Sequence, residues 1–318
     1  MSNKNGIAVV GTILVDRLCE IDAYPKAGQL TQIKRLSFSV GGLVPNVAID
    51  LKILDPKLSV SALGKVGDDF EGKFAVEKMR SFGVDCSDII VSSDEKTGFS
   101  DAMSVVGGQR TFFTYSGANA SFGVSDIPWE RLSYKMLHLG YFLLMDTIDK
   151  GDGLTILKKA KQAGMSTSID LVSENSDRYK SVVPCLKFVD NLIINETEAG
   201  NLCGIAPSRE NLPDIAEKLL NAGVNERVII HMPECAVCLS KDKLCVLPSY
   251  DLPEGWIKGT TGAGDAFCSG ALTGIYYGKD DKTILDYAQV AAASSLKETD
   301  ATSGIFELSE LKKTIKRT

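Results

Sequence analysis

A loop rich in glycine and threonine near the carboxyl end of the chain carries the residues best suited to chemistry. It reads Lys258-Gly-Thr-Thr-Gly-Ala-Gly-Asp-Ala-Phe-Cys-Ser-Gly270 and leads into an apolar pattern of helical period. The start of a helix presents unpaired backbone N–H groups and the positive end of the helix dipole, which suit a phosphate or a developing anion. Asp265 lies in the first turn of this helix. A carboxylate there repels phosphate, so its presence indicates a catalytic role such as orienting an attacking hydroxyl. The pattern therefore predicts phosphoryl transfer.

The same loop departs from two other nucleotide-binding motifs. A P-loop places Lys and then Ser or Thr after its last glycine, but here Gly264 is followed by Asp265 and Ala266. A dinucleotide fingerprint needs a third glycine where the chain has Phe267, and it normally follows the first strand. The loop therefore matches neither the P-loop nor the dinucleotide fingerprint well, and a dinucleotide-dependent oxidoreductase remains as the weakest alternative.

The elements that must position this loop alternate along the chain. Apolar runs of strand length are predicted at 7–14, 58–63, 136–139, 167–170, 191–194 and 228–231. Helical patterns are predicted at 70–82, 153–163, 264–277 and 282–297, and Gly204 and Gly223 close two further helices. Strands that are apolar on both faces and alternate with helices predict a doubly wound α/β fold, with a mostly parallel sheet flanked by helices. We expect a single domain over residues 1–318.

Two stretches break this alternation of strands and helices. Residues 21–40 and 97–115 alternate apolar and polar side chains, and the second contains a turn signal at Gly107-Gly108. Such strands, inserted between units of a parallel sheet, predict a small antiparallel β lid from about 17–42 and 97–116. A hairpin turning at residues 241–243 is predicted after the last buried strand.

Composition excludes several classes of protein. The chain is 44% hydrophobic and 24% charged, as expected for a globular protein, and its net charge of −6 offers no excess of Lys and Arg for nucleic-acid phosphates. No window approaches the roughly 18 apolar residues of a membrane span. Asp16 and Arg17 follow the first strand where a signal peptide would have a cleavage site. We expect a cytoplasmic protein with reduced cysteines and with neither a nucleic-acid nor a membrane partner.

Four short motifs are spread over nearly the whole chain. They are Gly41-Gly-Leu-Val-Pro-Asn46-Val-Ala48, Gly64-Lys-Val-Gly-Asp-Asp-Phe-Glu-Gly72, Asn195-Glu-Thr-Glu198 and Gly259-Thr-Thr-Gly-Ala-Gly-Asp-Ala-Phe267. In order and spacing they resemble the ribokinase-like carbohydrate kinases, also called the PfkB family. The C-terminal signature of that family, Asp-Thr-Thr-Gly-Ala-Gly-Asp-Ala-Phe, is matched at eight of nine positions, and Gly259 is the exception.

The resemblance implies ATP-dependent, Mg²⁺-assisted phosphorylation of a hydroxymethyl group on a small sugar or nucleoside. It implies that Asp265 is the catalytic base and that Gly262, Ala263 and Gly264 form the anion hole for the transferring phosphoryl group. In the family the lid closes over the sugar, which would exclude water, and it often pairs between two subunits. A homodimer through the lid is therefore possible here.

The resemblance also assigns ligand-binding positions. On the nucleotide side, Asn195 and Glu198 would organise Mg²⁺ and its waters, since oxygen ligands suit that hard ion. Thr260 and Thr261 would supply hydroxyls to the nucleotide. On the substrate side, the residues that would hold the sugar hydroxyls are Asp16, Gly41, Gly42, Asn46 and Asn119.

Each of these groups has a purely structural alternative. Asp16 could cap a turn, Gly41 and Gly42 could form a hairpin bend, and Asn119 could be a turn residue. Asn195 and Glu198 could start a helix as a capping box. For the two histidines, His138 and His231, we favour buried, satisfied positions in strands.

Three departures from the family pattern qualify the resemblance. Gly259 replaces a carboxylate that helps to bind a monovalent cation, which puts that cation in doubt. Met232-Pro-Glu-Cys235 replaces a glycine-containing segment near the nucleotide, so larger side chains could narrow that site. Asp170-Leu-Val-Ser-Glu-Asn175 replaces an Asp-Pro-Asn-x-Arg segment, with Arg178 displaced, which argues mildly against sugar-phosphate substrates. A non-catalytic sugar or nucleotide sensor that keeps the kinase fold is therefore the main alternative.

Overall fold

The computed structural model describes residues 4–105, 110–174, 176–241 and 243–315, and fourteen strands and eight α-helices lie in these ranges. In chain order the strands are β1 (Ile7–Val10), β2 (Leu14–Ile21), β3 (Ile33–Gly41), β4 (Val60–Leu63), β5 (Lys65–Gly67), β6 (Ile90–Ser92), β7 (Gly98–Val105), β8 (Arg110–Tyr115), β9 (Met136–Phe142), β10 (Ser166–Leu171), β11 (Asn191–Asn195), β12 (Arg227–His231), β13 (Cys235–Ser240) and β14 (Lys243–Pro248). The helices are α1 (Leu43–Leu54), α2 (Phe70–Ser81), α3 (Gly153–Gln162), α4 (Glu196–Cys203), α5 (Leu212–Asn221), α6 (Ala263–Tyr276), α7 (Asp281–Ser295) and α8 (Leu308–Thr314).

The main sheet has the order β14-β13-β12-β11-β10-β9-β1-β4. Neighbours from β4 to β12 run parallel, and β13 and β14 extend the sheet as antiparallel strands. Every residue of β1 and β4 is buried, because helices cover both faces of the sheet. One face forms a core around Leu139, Ile169 and Leu157, and the other forms a core around Val9, Val47 and Leu272. The predicted doubly wound, mostly parallel fold is confirmed.

Two details near the start of the chain differ from the prediction. The strand predicted at 7–14 is wrong, because β1 ends at Val10 and the next strand belongs to a different sheet. Gly11, with φ +151°, separates them, and a Cβ there would lie 2.8 Å from the carbonyl oxygen of Gly140. We did not predict α1, whose Pro45 lies in the first turn, where a missing N–H removes no intrahelical bond.

The lid consists of β2, β3, β7 and β8, in the order β3-β2-β7-β8. The pairs β2–β3 and β7–β8 are antiparallel hairpins, as predicted, and the central pair β2–β7 is parallel because its two strands come from separate insertions. The predicted turn at Gly107-Gly108 lies outside the described residues. So does Asp242 of the hairpin between β13 and β14, where Ser240 pairs with Lys243.

The chain contains eight cysteines, and two of them lie close together in one strand. All eight cysteines are free thiols, and six of them are buried. Cys235 and Cys238 lie in β13, as a hydrophobic strand rather than a metal-binding turn. No helix in the described part of the chain has the length and hydrophobicity of a transmembrane segment.

Candidate active site

The glycine-rich loop reaches the edge of the main sheet where the parallel strands end. Ligands in open α/β folds bind at this carboxyl edge. Gly262 precedes α6 with a left-handed backbone (φ +77°), and a Cβ there would fall onto Ala301. The amide of Ala263 donates to the carbonyl oxygen of Thr260 at 3.3 Å. Since the first amides of a helix lack intrahelical partners, those of Gly262 and Gly264 are the stronger anion-binding candidates.

Asp265 is held by side chains from two distant elements. Asn46 of α1 donates Nδ2–H to Asp265 Oδ2 at 2.8 Å, and the Tyr141 hydroxyl lies 3.1 Å from each carboxylate oxygen. The carboxyl is 6% exposed. Its pKa is raised to about 7, chiefly by burial and then by the neighbouring Asp170, while the bonds from Asn46 and Tyr141 lower it. A carboxylate with a pKa near neutrality can accept a proton at physiological pH.

Tyr141 is a site residue that the sequence did not indicate. It lies near the end of β9 with φ +57°, a region that non-glycine residues rarely adopt. Its amide donates to Asp170 Oδ1 at 2.7 Å, which fixes this backbone. The preceding Gly140 leaves room for this contact, because a Cβ there would lie 2.6 Å from Asp170 Oδ1. Backbone strain of this kind is concentrated at functional sites.

An inner cavity of about 180 Å³ brings the acidic residues together. Its lining includes Tyr141, Asp170, Glu198, Gly264 and Asp265, and the described lining contains neither Lys nor Arg. Three carboxyl groups in a space without basic side chains would repel a polyphosphate. A cation that screens this charge would therefore favour nucleotide binding at this edge.

Asn195 and Glu198 form the capping box that the structural alternative predicted. Asn195 Oδ1 accepts from the Glu198 amide at 2.8 Å, and Glu198 Oε2 accepts from the Asn195 amide at 3.1 Å. Glu198 Oε1 also accepts from Asn195 Nδ2 and from the Ser173 hydroxyl, each at 2.8 Å. Both residues nevertheless line the inner cavity. Burial raises the pKa of Glu198 to about 8, although the hydrogen bonds from Asn195 and Ser173 favour its charged form.

These residues fit Mg²⁺ through water. The oxygen donors suit the ion, and a nearby cation would favour the ionised form of Glu198. Glu198 Oε1 is already occupied by two hydrogen bonds, whereas Oε2 carries one and keeps accepting capacity toward a metal-bound water.

An outer cavity of about 610 Å³ adjoins the inner one along α6. Met232, Cys235, Thr260 and Ala263 contribute to its lining, together with Asn195. The larger side chains of the segment 232–235 therefore leave a cavity open beside them. Ala263 faces this outer cavity rather than the inner one that Gly262 and Gly264 line.

Four of the residues predicted to bind substrate lie where the lid joins the body: Asp16 and Gly41 are on the lid strands β2 and β3, and Gly42 and Asn46 are at the start of α1. Burial raises the pKa of Asp16 to about 6, and a Cβ at Gly41 would lie 2.5 Å from Asp16 Oδ2. Gly42 starts α1 with φ +83° rather than forming a hairpin bend, and its position allows Asn46 to reach Asp265. Thr261 lines a small cleft with Asp16, so it lies on the lid side and not beside Thr260 in the outer cavity.

Asn119 does not belong to this group. Its Oδ1 accepts from the Ile13 amide at 2.8 Å, and its two Nδ2 hydrogens donate to the carbonyl oxygens of Ile13 and Ser116 at 2.9 and 3.0 Å. Both donors are used and the side chain is buried. The structural alternative for Asn119, a turn residue, describes its position correctly.

The two histidines have different environments. His138 is fully buried and hydrogen-bonded to Ser168, as predicted. The predicted strand position of His231 is confirmed at the end of β12, but its side chain lines both cavities instead of lying in the core, and its ring packs on Phe267 at 4.4 Å. Burial lowers the pKa of His231 to about 4. Sequence gave no signal for this position, since the cavities form only when β12 meets α6.

The structure also describes the other two departures from the family pattern, at Gly259 and at Arg178. A Cβ at Gly259 would lie 2.8 Å from the carbonyl oxygen of Glu298, so a larger residue would require the backbone to shift. Arg178 pairs with Glu174 and donates to the carbonyl oxygen of Leu143 at 2.7 Å, and it does not line either cavity. Asn175 lies outside the described residues.

Comparison with known proteins supports the fold and the family. The model of the pfkB family of carbohydrate kinases matches residues 4–307. A ribokinase of Arabidopsis thaliana is 25% identical over 291 residues, which are 90% of this chain and 75% of that protein. A nucleoside kinase of Methanothermobacter thermautotrophicus is 26% identical over 308 residues, covering 95% and 92% of the two chains.

Solved structures show the same fold. A structure of Arabidopsis thaliana ribokinase with ribose and ATP matches with a TM-score of 0.84 at 22% identity, covering 99% of this chain and 100% of that one. A ribokinase of Thermotoga maritima matches with a TM-score of 0.81 at 22% identity, over 97% and 98% of the chains.

Proposed function

Since this chain belongs to the pfkB family of carbohydrate kinases, we propose that it transfers the γ-phosphoryl group of ATP to a hydroxymethyl group of a small sugar or nucleoside. The observation that carries this proposal is Asp265, a buried carboxylate with a pKa near 7 at the start of α6, held by Asn46 and Tyr141. The relatives include both ribokinases and a nucleoside kinase, so both substrate classes remain within the proposal.

In this mechanism Asp265 accepts the proton of the substrate hydroxyl as its oxygen attacks the γ-phosphorus. Asn46 and Tyr141 are positioning residues, because they hold the carboxylate in one orientation and leave Oδ1, which has only the Tyr141 contact, with capacity to accept a proton. The amides of Gly262 and Gly264, with Ala263 completing the turn, stabilise the charge of the transferring phosphoryl group. The inner cavity would hold this reacting group, and the outer cavity would hold the rest of the nucleotide, with Thr260 beside it.

Mg²⁺, when bound, would screen the repulsion between the nucleotide phosphates and the carboxylates of the inner cavity. Asn195 and Glu198 would hold it through water, and Ser173 keeps the Glu198 carboxylate in place. On the substrate side, Asp16 and the backbone at Gly41 and Gly42 would hold sugar hydroxyls. Thr261 lies on this side of the loop, so it serves the substrate cleft in preference to the nucleotide.

The lid and the α/β body would act as one domain over residues 1–318. Closure of the lid would exclude water and so limit hydrolysis of ATP.

Large apolar side chains on the lid are exposed, among them Leu36, Phe112 and Phe113. Because exposed apolar groups of this kind mark interaction surfaces, we include a homodimer through the lid in the proposal. Sedimentation velocity of Phe113→Ser tests it, with Phe306→Ser as an exposed control elsewhere: only the lid variant should shift the chain toward monomer.

The decisive experiment on function is turnover by Asp265→Asn. The variant keeps the shape of the side chain and loses the base, so kcat should fall by about 10²–10⁴ while binding of ATP and substrate persists. ADP release over a panel of sugars and nucleosides measures kcat, and Asp251→Asn, an exposed position, is the matched control. A variant that retains most of its turnover would show that Asp265 is not the base.

A non-catalytic sensor is the alternative that Met232 and Cys235 favour. It predicts thermal stabilisation of the wild-type chain by a sugar, no stabilisation by any nucleotide with Mg²⁺, and no release of ADP. The open outer cavity beside these two residues supports the kinase instead.

A further inference from the structure

A second group of chemically active side chains lies under the floor of the inner cavity. His138 of β9, Asp170 of β10 and Cys268 of α6 each offer one ligand atom, and these three atoms lie within 4.8 Å of one another. His138 Nε2 lies 3.5 Å from Cys268 Sγ and 3.6 Å from Asp170 Oδ2. All three residues are buried, and the proposed transfer uses neither the imidazole nor the thiol.

Two of these three separations match those of a tetrahedral zinc site, and the third, between Asp170 and Cys268, lies within 4.8 Å. Zinc binds sulfur at about 2.3 Å and nitrogen or oxygen at about 2.0–2.1 Å, so two ligands of one tetrahedron lie about 3.3–3.6 Å apart. The two measured distances fall at or close to this range. Three protein ligands leave a fourth position, and Asp170 and Cys268 both line the inner cavity, from which a metal and a water could enter.

The surroundings also orient the ligands. His138 Nδ1 lies 2.9 Å from Ser168 Oγ, so the tautomer that donates Nδ1–H to Ser168 directs the Nε2 lone pair at Cys268 and Asp170. Asp170 Oδ1 accepts from the Tyr141 amide, which leaves Oδ2 as the ligand atom. A second hydrogen bond that fixes the histidine is a regular feature of zinc sites.

We propose that His138, Asp170 and Cys268 form a binding site for Zn²⁺, separate from the oxygen ligands Asn195 and Glu198. Binding would displace the thiol proton of Cys268 to solvent, because the thiolate is the ligand form. A thiolate and an imidazole favour zinc or cobalt over Mg²⁺. Only the consequence for turnover rests on the proposed function: zinc bound to Asp170 beside Asp265 inhibits transfer, and excess Mg²⁺ does not relieve the inhibition.

Co²⁺ serves as the probe, because a thiolate-to-cobalt charge-transfer band reports a bound sulfur without any assay of turnover. The full chain and Cys245→Ser should both show the band, while Cys268→Ser should lose it. Cys245 is the matched control because it lies across from Cys238 in the β13–β14 hairpin, where two thiols could also bind the metal. Loss of the band in Cys245→Ser, or no band in the wild-type chain, overturns the proposal.

Two further measurements keep the test independent of the folding of Cys268→Ser. X-ray absorption of the wild-type chain loaded with Zn²⁺ should show one sulfur ligand at about 2.3 Å with nitrogen or oxygen ligands; a shell of oxygen alone contradicts the site. Ser168→Ala should weaken Zn²⁺ binding about 10–100-fold, since Ser168 only positions His138, and unchanged affinity counts against the assigned geometry. Failure of Asp265→Asn to lose turnover would leave these spectroscopic results unaffected.

Discussion

The hydroxyl of Tyr141 lies 3.1 Å from both carboxylate oxygens of Asp265, although 124 positions separate the two residues in the chain. The contact joins the end of β9 to the first turn of α6. The pKa of the candidate base therefore depends on a tyrosine whose backbone amide is hydrogen-bonded to Asp170.

Replacement of this tyrosine should shift the pH dependence of turnover. The Tyr141 hydrogen bond stabilises the charged form of Asp265 and opposes the rise of its pKa to about 7. Without it the pKa rises further, so the acidic limb of the kcat profile of Tyr141→Phe should move to higher pH. A hydrogen bond to a charged group contributes about 1.5–3 kcal/mol, which corresponds to a shift of about one to two pH units.

The control for this experiment is Tyr134→Phe, which removes a hydroxyl bonded to Ser61 Oγ at 2.8 Å, away from both cavities. Its profile should match that of the wild-type chain. An unchanged acidic limb in Tyr141→Phe would separate this hydroxyl from the titration of Asp265.

The neutral variant of a buried aspartate should stabilise the fold. Asp50 of α1 is fully buried, and neither carboxylate oxygen has a hydrogen-bond partner among the described residues. Burial, with Asp265 and Asp300 nearby, raises its pKa well above the ordinary value. An acid whose folded pKa is raised destabilises the fold increasingly as pH rises above its unfolded pKa.

Asp50→Asn should therefore increase the free energy of unfolding, and the increase should be larger at pH 8 than at pH 5. The expected gain is on the order of 1–3 kcal/mol, because each unit by which the pH exceeds the unfolded pKa costs about 1.4 kcal/mol until the folded pKa is reached. Urea unfolding at both values measures it, with the exposed Asp251→Asn as control. A loss of stability at both pH values would mean that the carboxylate of Asp50 is compensated in the folded protein.

Removal of the charge of Glu198 should weaken the response to Mg²⁺. Glu198→Gln keeps an oxygen for the capping box and loses the negative charge, so the Mg²⁺ concentration for half-maximal turnover should rise by at least about tenfold. Titration of Mg²⁺ at saturating ATP measures the change, and the exposed Glu217→Gln of α5 is the control. Equal Mg²⁺ curves for the two variants would assign Glu198 to helix capping alone.

The glycine before α6 should tolerate no side chain. An alanine at Gly262 would have both a left-handed backbone, which costs roughly 1–2 kcal/mol, and a collision with Ala301. Gly278 has a similar φ of +63° but nothing within 4 Å of an added Cβ. Gly262→Ala should therefore lose more stability than Gly278→Ala and should lose turnover, measured by thermal unfolding and ADP release. Equal losses in the two variants would exclude the contact with Ala301 as the cause.

The sequence by itself determined most of the order of strands and helices, except α1 and the break after β1, together with the lid insertions and the loop that starts α6. These depend on local properties: apolar periodicity, glycines that permit turns, and residues that favour a helix start. The capping box at Asn195 and Glu198 is local in the same way, since its hydrogen bonds join residues three positions apart.

Only the tertiary structure decided which side chains meet at the site. Asn46 and Tyr141 reach Asp265 because α1, β9 and α6 converge at one edge of the sheet, and nothing in the spacing along the chain encodes that distance. Asn119 resembled a ligand residue, but the packing of its turn against Ile13 used its hydrogen bonds. Burial, which raises the pKa of Asp265, is a property of the assembled fold and not of any segment.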